Sequence, residues 1–230
     1  MIAEEELTVS ATGQDLLRQL LIVWLEFERR IGRLPMFNRL EQGNFTIEDY
    51  KNLLFNLRAQ VVEGSRWITR AASSFTADFR ELRSTVIHHA LDEHRDYEML
   101  ERDYVSIGGE QEDIINAPRN IGTEALAAFM MQQASQPNPI DLLGAVFIIE
   151  GLGQKMAGPW AEQIQEQLNI GPESTTFLSY HGKNDDTHIG KMHAVLNSKV
   201  ITPELVPRVV KTARVVARLY ALQLEELNQH

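Results

Sequence analysis

His181, Asp185 and His188 lie in the stretch YHGKNDDTHIGKMHAVL at spacing i, i+4 and i+7, which on an α-helix puts two imidazoles and a carboxylate on one narrow stripe. Leu178, Met192 and Val195 continue that stripe, so the three polar groups occupy positions that amphipathic periodicity assigns to the core. Buried imidazoles and carboxylates need partners. A bound cation satisfies their lone pairs and offsets the cost of burying charge. The other reading is a hydrogen-bonded His/Asp cluster that packs two helices.

The same spacing recurs at His89, Glu93 and Asp96. Here Glu93 sits in the middle of an apolar stripe formed by Val86, Ala90, Tyr97, Leu100 and Tyr104. Glu150 follows Val146, Phe147, Ile148 and Ile149, where an unpartnered carboxylate is pushed up in pKa or destabilises the fold. It is either a metal ligand or one half of a salt bridge, for example with Lys155. Glu63 lies beside the stripe Leu57, Val61, Gly64 and Ile68 and carries the same alternatives. Two ligand-bearing stripes with inward glutamates match the way helical bundles build a dinuclear carboxylate centre. His89, Glu93, Asp96, Glu150, His181, Asp185 and His188 are thus the candidate metal ligands, with Glu150, His181, Asp185 and His188 as the catalytic core. Read this way, the site would hold two metal ions about 3.5–4 Å apart. Tyr97, Tyr104 and Tyr180 are either oriented donors near the centre or core filling. Arg58, Arg66, Lys155, Lys183 and Lys191 are candidates to hold a substrate carboxylate, or else face solvent.

Helices must position these groups. Periodicity and break residues predict a first helix over 14–30, a second over 46–72 capped by Thr46, and a third over 78–107 that stops at Gly108-Gly109. A fourth covers 123–135, a fifth runs from Pro139 to about 168, a sixth covers 173–196 and Pro203 opens a seventh. In the sixth, Gly182, Gly190 and the run Asn184-Asp185-Asp186 weaken the helix, so its order is expected to depend on a bound cation. VVEGSRW in the second helix and IIEGLGQ in the fifth form a short internal echo.

The chain has 230 residues, 43% of them hydrophobic, with no Pro/Gly/Ser-rich linker, which predicts one all-α domain over 1–230. No apolar run suffices to span a bilayer, and MIAEEELTVSATG is unlike a secretory signal, so neither a membrane nor an export route is expected and the cytoplasm is the default. A net charge of -10 argues against nucleic acid as a partner. The chain contains no cysteine, which excludes disulfides, thiolate metal sites and a Cys nucleophile.

PMFNRLEQGNFTIEDYKNLLFNLRAQVVEG resembles the early region of the haem-oxygenase-like helical proteins related to TenA and to pyrroloquinoline quinone synthase C. ALDEHRDYEMLERDYVSIGG is similar to the helix that follows in that group. With Glu150 and the His181, Asp185, His188 set, this order resembles the diiron oxidase and oxygenase branch, in which Glu and His-x3-Asp-x2-His on two helices bind iron with ligands from an earlier helix. The resemblance spans Pro35 to Leu196. It implies a haem-oxygenase-like bundle of about seven helices and a non-haem diiron oxidase or oxygenase whose cofactor is two iron ions, with manganese as a substitute, and whose chemistry is reduction of dioxygen. The substrates would be dioxygen and a small carboxylate-bearing metabolite, an amino acid or a fatty acid. A homodimer is a candidate assembly. The chain departs from other branches of the group: TenA-type thiaminase chemistry uses a Cys nucleophile, and a haem oxygenase uses an axial His on its first helix, whereas the first His here is His88. A metal-independent cofactor-metabolism enzyme of the same fold, or a non-catalytic helical interaction module, are the alternatives.

Overall fold

The computed structural model describes residues 10–183, 195 and 200–228, and it is all-α, with no strand among the described residues. Helix α1 (Ala11–Ile31) starts at Ser10, whose hydroxyl accepts from the Gly13 N–H, and buries Leu16, Leu20, Val23, Trp24 and Phe27. A short α2 (Pro35–Glu41) follows, where the sequence reads only a break. Pro35 lies in its first turn, where the missing N–H costs nothing. In α3 (Ile47–Ser74) Thr46 and Asp49 form a reciprocal capping box, so the expected start of the second helix holds.

The expected third helix is broken. Helix α4 (Arg80–Asp92) ends at Glu93, tight turns span 93–96, and α5 (Tyr97–Ser106) resumes. There is no Pro or Gly here. The local sequence DEHRD is charged, contains two of the weaker helix formers, and swaps i→i−4 bonds for Asp96 N–H to Glu93 O and Met99 N–H to Asp96 O. A small α6 (Gln111–Asn116) precedes α7 (Ile121–Ala134), which is capped by the Asn120 side chain.

The expected fifth helix is α8 (Leu143–Leu152) and α9 (Gly158–Leu168), joined through a π-helical turn at Gly153–Ala157 that begins three residues after Glu150. Such π-turns rotate the following face and are common at functional sites. Residues 176–183 form α10, and the rest of the expected sixth helix, with Asp185 and His188, lies outside the described residues. The seventh helix, α11 (Val206–Glu225), begins three residues after Pro203, with Pro207 in its first turn instead. Its buried stripe of Val209, Val210, Ala213, Val216, Ala217, Ala221 and Leu224 is rich in small side chains, and α1, α7 and α8 pack around it. Helix α3 packs against α4, α5 and α7 on the other side of the core. No helix among the described residues is long and apolar enough to cross a membrane.

Candidate metal centre

Within this bundle the end of α4, the turn after it, the end of α8 and α10 meet. His89 lies in the last turn of α4, Glu93 caps that helix and Asp96 immediately precedes α5. His89 Nε2 is 3.1 Å from Glu150 Oε1 on α8 and 3.7 Å from Glu93 Oε1. On the other side His181 Nε2 is 3.3 Å from Asp96 Oδ2. The ligand atoms form two sets, His89 with Glu93 and Glu150, and Glu93 with Asp96 and His181, each with its atoms within 4.8 Å of one another. Glu93 belongs to both. The broken helix therefore still delivers all three of its candidate ligands.

Two devices set the position of α10. The Asp103 carboxylate on α5 accepts from the Thr176 N–H (3.0 Å), the Thr176 hydroxyl (2.6 Å) and the Phe177 N–H (3.0 Å), capping the positive end of α10. Further along, Gly182 permits a close helix crossing: a Cβ there would stand 2.7 Å from the Gly158 nitrogen and 2.8 Å from its Cα. Backbone cannot yield as a flexible side chain can, so a methyl group must push α10 away from α9 and carry His181 with it. Gly182→Ala is expected to lower stability by about 1–3 kcal/mol and to reduce metal uptake, measured by thermal unfolding and by bound iron. A variant with unchanged melting and full iron would show that this contact does not position His181.

Burial holds the Glu93 carboxyl up at about 7, with the charges of Glu150 and Asp96 adding to the shift and His181 and His89 opposing it. Asp96 Oδ2 is buried with no hydrogen-bond partner among the described residues. Three carboxylates and two imidazoles facing one another, with a buried acceptor lacking a donor, fit a cation that takes oxygen and nitrogen ligands.

Four members of the cluster, His89, Glu93, Glu150 and His181, line a cavity of about 110 Å³ whose other walls are largely apolar, among them Leu53, Leu126, Met130, Val146, Ile149 and Trp160. A second apolar cavity of about 100 Å³ adjoins it, sharing Trp67, Ile68, His89 and Val146. Glu63 also lines the first cavity, but its carboxylate is ion-paired with Arg66 at 2.8 Å and with Arg119, and it joins neither ligand set. The candidate substrate-holding cations are otherwise engaged: Arg58 pairs with Glu101 at 2.9 Å and Lys155 with Glu28 at 2.7 Å, so Lys155 does not reach Glu150. Lys183 is exposed, and Lys191 lies outside the described residues. Of the three tyrosines, Tyr97 lies under Arg58, Tyr104 packs on Phe55, and Tyr180 is 43% exposed with its ring edge-on to His181. Sequence reasoning missed Tyr220 of α11 and Phe177, both in the cavity wall, because an apolar stripe looks the same whether it packs or lines a cavity. His88 and His94 are exposed.

Comparison with known proteins identifies the fold and the family. A domain of unknown function with a heme oxygenase-like fold from Shewanella denitrificans superposes with a TM-score of 0.86 at 22% identity, over 94% of this chain and 92% of that one. A TenA homologue from Pseudomonas syringae pv. tomato gives a TM-score of 0.74 at 12% identity, over 100% and 98% of the two chains. The TenA homologue from P. horikoshii gives 0.70 at 16% identity, over 95% and 98%. A search of curated proteins finds no match. The fold is thus haem-oxygenase-like, and residues 59–221, a stretch that holds His89, Glu93, Asp96, Glu150 and His181, match the iron-containing redox enzyme family, to which this chain belongs.

Proposed function

We propose that the chain is a non-haem diiron oxidase or oxygenase that uses dioxygen to oxidise a fatty acid. The observation that carries this reading is the shared position of Glu93 between two ligand sets on facing helices, the arrangement a bridging carboxylate requires. His89 and Glu150 would complete one metal position, and Asp96 and His181 the other, with Asp185 and His188 as the further ligands proposed from sequence. Two ferrous ions held there would supply the electrons that activate dioxygen. The protein's own groups do the rest. Burial of Glu93 keeps a proton on the metal-free site near neutral pH, and that proton leaves when a cation takes its place. Phe177, whose ring centroid is 4.4 Å from that of His181, holds the imidazole plane. The apolar walls exclude water, and Trp67, Ile68, His89 and Val146 line both this cavity and the second one. That largely apolar lining favours an alkyl chain over an amino-acid side chain, with the substrate carboxylate against His89, Glu93, Glu150 and His181.

A second reading draws on one observation, the carboxyl of Glu93 held at about 7, which suits a metal-independent general acid. Anaerobic reconstitution separates the two. Two irons per chain are expected, with oxygen consumption stimulated by a medium-chain fatty acid and abolished by chelation. His188→Ala is expected to fold, to retain one metal and to lose oxygen consumption. Turnover that survives both chelation and His188→Ala would replace the diiron reading with the acid-base one.

A further inference from the structure

The chain carries a net charge of -10, yet one open cleft between α1 and α11, of about 400 Å³, is lined by Arg29, Arg30, Arg33, Arg214 and Arg218. Glu26 is the acidic residue in its wall. Arg30 pairs with Glu225 at 2.8 Å, whereas no carboxylate among the described residues pairs with Arg29, Arg33, Arg214 or Arg218. The dipole of α1 accounts for Arg29 and Arg30, which lie in its last turn. It does not account for Arg214 and Arg218. They sit one turn apart in the middle of α11, where helix ends have no influence and where like charges at i, i+4 repel.

The floor of this cleft leads inward. Phe27 lines the cleft and meets Tyr220 edge-on, with ring centroids 5.9 Å apart, and Tyr220 lines the cavity that holds Glu93 and Glu150. Phe27 also meets Trp24 at 5.8 Å, and the Trp24 ring lies 3.1 Å from where a Cβ on Gly151, the residue after Glu150, would stand. Phe27, Trp24 and Tyr220 thus form a chain of packed rings between the arginine cleft and the cavity that holds Glu93 and Glu150.

We infer that this cleft is the docking surface for an acidic one-electron carrier protein of the iron–sulfur or flavin class. The inference rests on the diiron reading: reducing dioxygen to water takes four electrons, a two-electron oxidation of the fatty acid supplies two, and the other two must reach the centre from outside, one per carrier encounter. In each encounter the carrier loses one electron and the metal centre gains it, with no atom transferred. Charge argues for a protein over a small anion. Four of the five arginines are exposed, and the five are spread over α1, the turn after it and α11, with the C-terminal end of α1, not a helix N-terminus, facing the cleft. A phosphate-sized ligand requires convergent, shielded donors, whereas distributed guanidinium groups match the distributed carboxylates of an acidic protein. The negative remainder of the surface repels such a carrier elsewhere, so the cleft also orients it.

The test is binding of the iron-free chain to an acidic [2Fe–2S] ferredoxin and to a flavodoxin, at low and high salt. It compares wild type with the Arg214→Glu/Arg218→Glu double variant and with Arg214→Gln/Arg218→Gln. Wild type is expected to bind at least one carrier at low salt. Charge reversal should weaken that binding about tenfold or more, mainly through the association rate, neutralisation should weaken it less, and high salt should remove the differences. Iron content and melting temperature of both variants should stay at wild-type values, which separates docking from folding and from the metal centre. Carrier binding with this salt and charge pattern in a chain that takes up no iron would uphold the surface and sink the diiron reading alone. Equal binding by wild type and the charge-reversed variant would overturn the inference, as would binding of neither carrier, or tight binding of inorganic pyrophosphate with no carrier binding.

Discussion

Glu150→Gln is expected to abolish iron binding at protein and metal concentrations where wild type is saturated, while making the metal-free protein no less stable. The amide keeps the volume of the carboxylate but loses its charge. A direct ligand matters more than its supporting partners, whose removal costs metal affinity up to about 100-fold, so a loss of about 100-fold or more is expected here. The stability half of the prediction decides between roles. If Glu150 were a structural ion-pair partner of His89, 3.1 Å away, removing its charge would leave a buried group uncompensated and cost about 3–5 kcal/mol. If it is a ligand, the metal-free site already suffers repulsion among Glu150, Glu93 and Asp96, two of which raise the pKa of the third. Relieving that repulsion holds stability level or raises it. Isothermal titration with ferrous iron under anaerobic conditions, paired with denaturant unfolding of the metal-free protein, reads both quantities. Retained iron binding, or a large loss of stability, would remove Glu150 from the ligand set.

That discrimination is needed because the sequence carries ligand identity better than ligand geometry. His89, Glu93 and Asp96 were legible as a set through the i, i+4, i+7 spacing, and the structure gathers them with Glu150 and His181. The straight helix that this spacing assumed does not exist. The chain breaks at 93–96, and Asp96 reaches His181 because tight turns, not helical phase, carry it there. Without Pro or Gly the break is marked only by the weak helix formers Asp92, His94 and Asp96, which also occur inside helices. The same holds for the π-turn after Glu150, where Gly153 lies in the turn but one glycine does not announce an extra residue per turn. Gly182 was legible only as a weak point in a helix, whereas its structural role is the contact with Gly158, two residues that adjoin only in the fold. Glu63 shows the converse: its inward position was legible, but Arg119, the distant residue that joins Arg66 in neutralising it, was not. All-α class, the capping box at Thr46 and the placement of α1, α3, α7 and α11 follow from local patterns that packing has no reason to override.

The metal-free protein is expected to lose stability as pH rises from about 4.5 to about 7, and iron is expected to reverse that slope. The sign follows from Glu93. Its carboxyl is held at about 7 in the folded chain, first by burial and then by the charge of Glu150, against 4.5 for the unexposed-to-perturbation reference value that stands for the unfolded chain. Between those values the folded state binds more protons than the unfolded state, so stability falls with rising pH. The contribution is fully present below the unfolded value and lost as pH passes through the folded one. Its size is a few kcal/mol, since each unit of displacement is worth about 1.4 kcal/mol. A metal ion needs the carboxylate ionised, so binding below the folded value must expel the proton, and affinity must rise with pH through the window where stability of the free protein falls. Titrations of ferrous iron near pH 6 in buffers of different ionisation enthalpy should therefore report release of about one proton attributable to Glu93, and Glu93→Gln should remove both that proton and the pH slope of metal-free unfolding. Iron binding without proton release, together with a metal-free stability that rises across this window, would show that Glu93 is ionised before any cation arrives and would remove it from the bridging position.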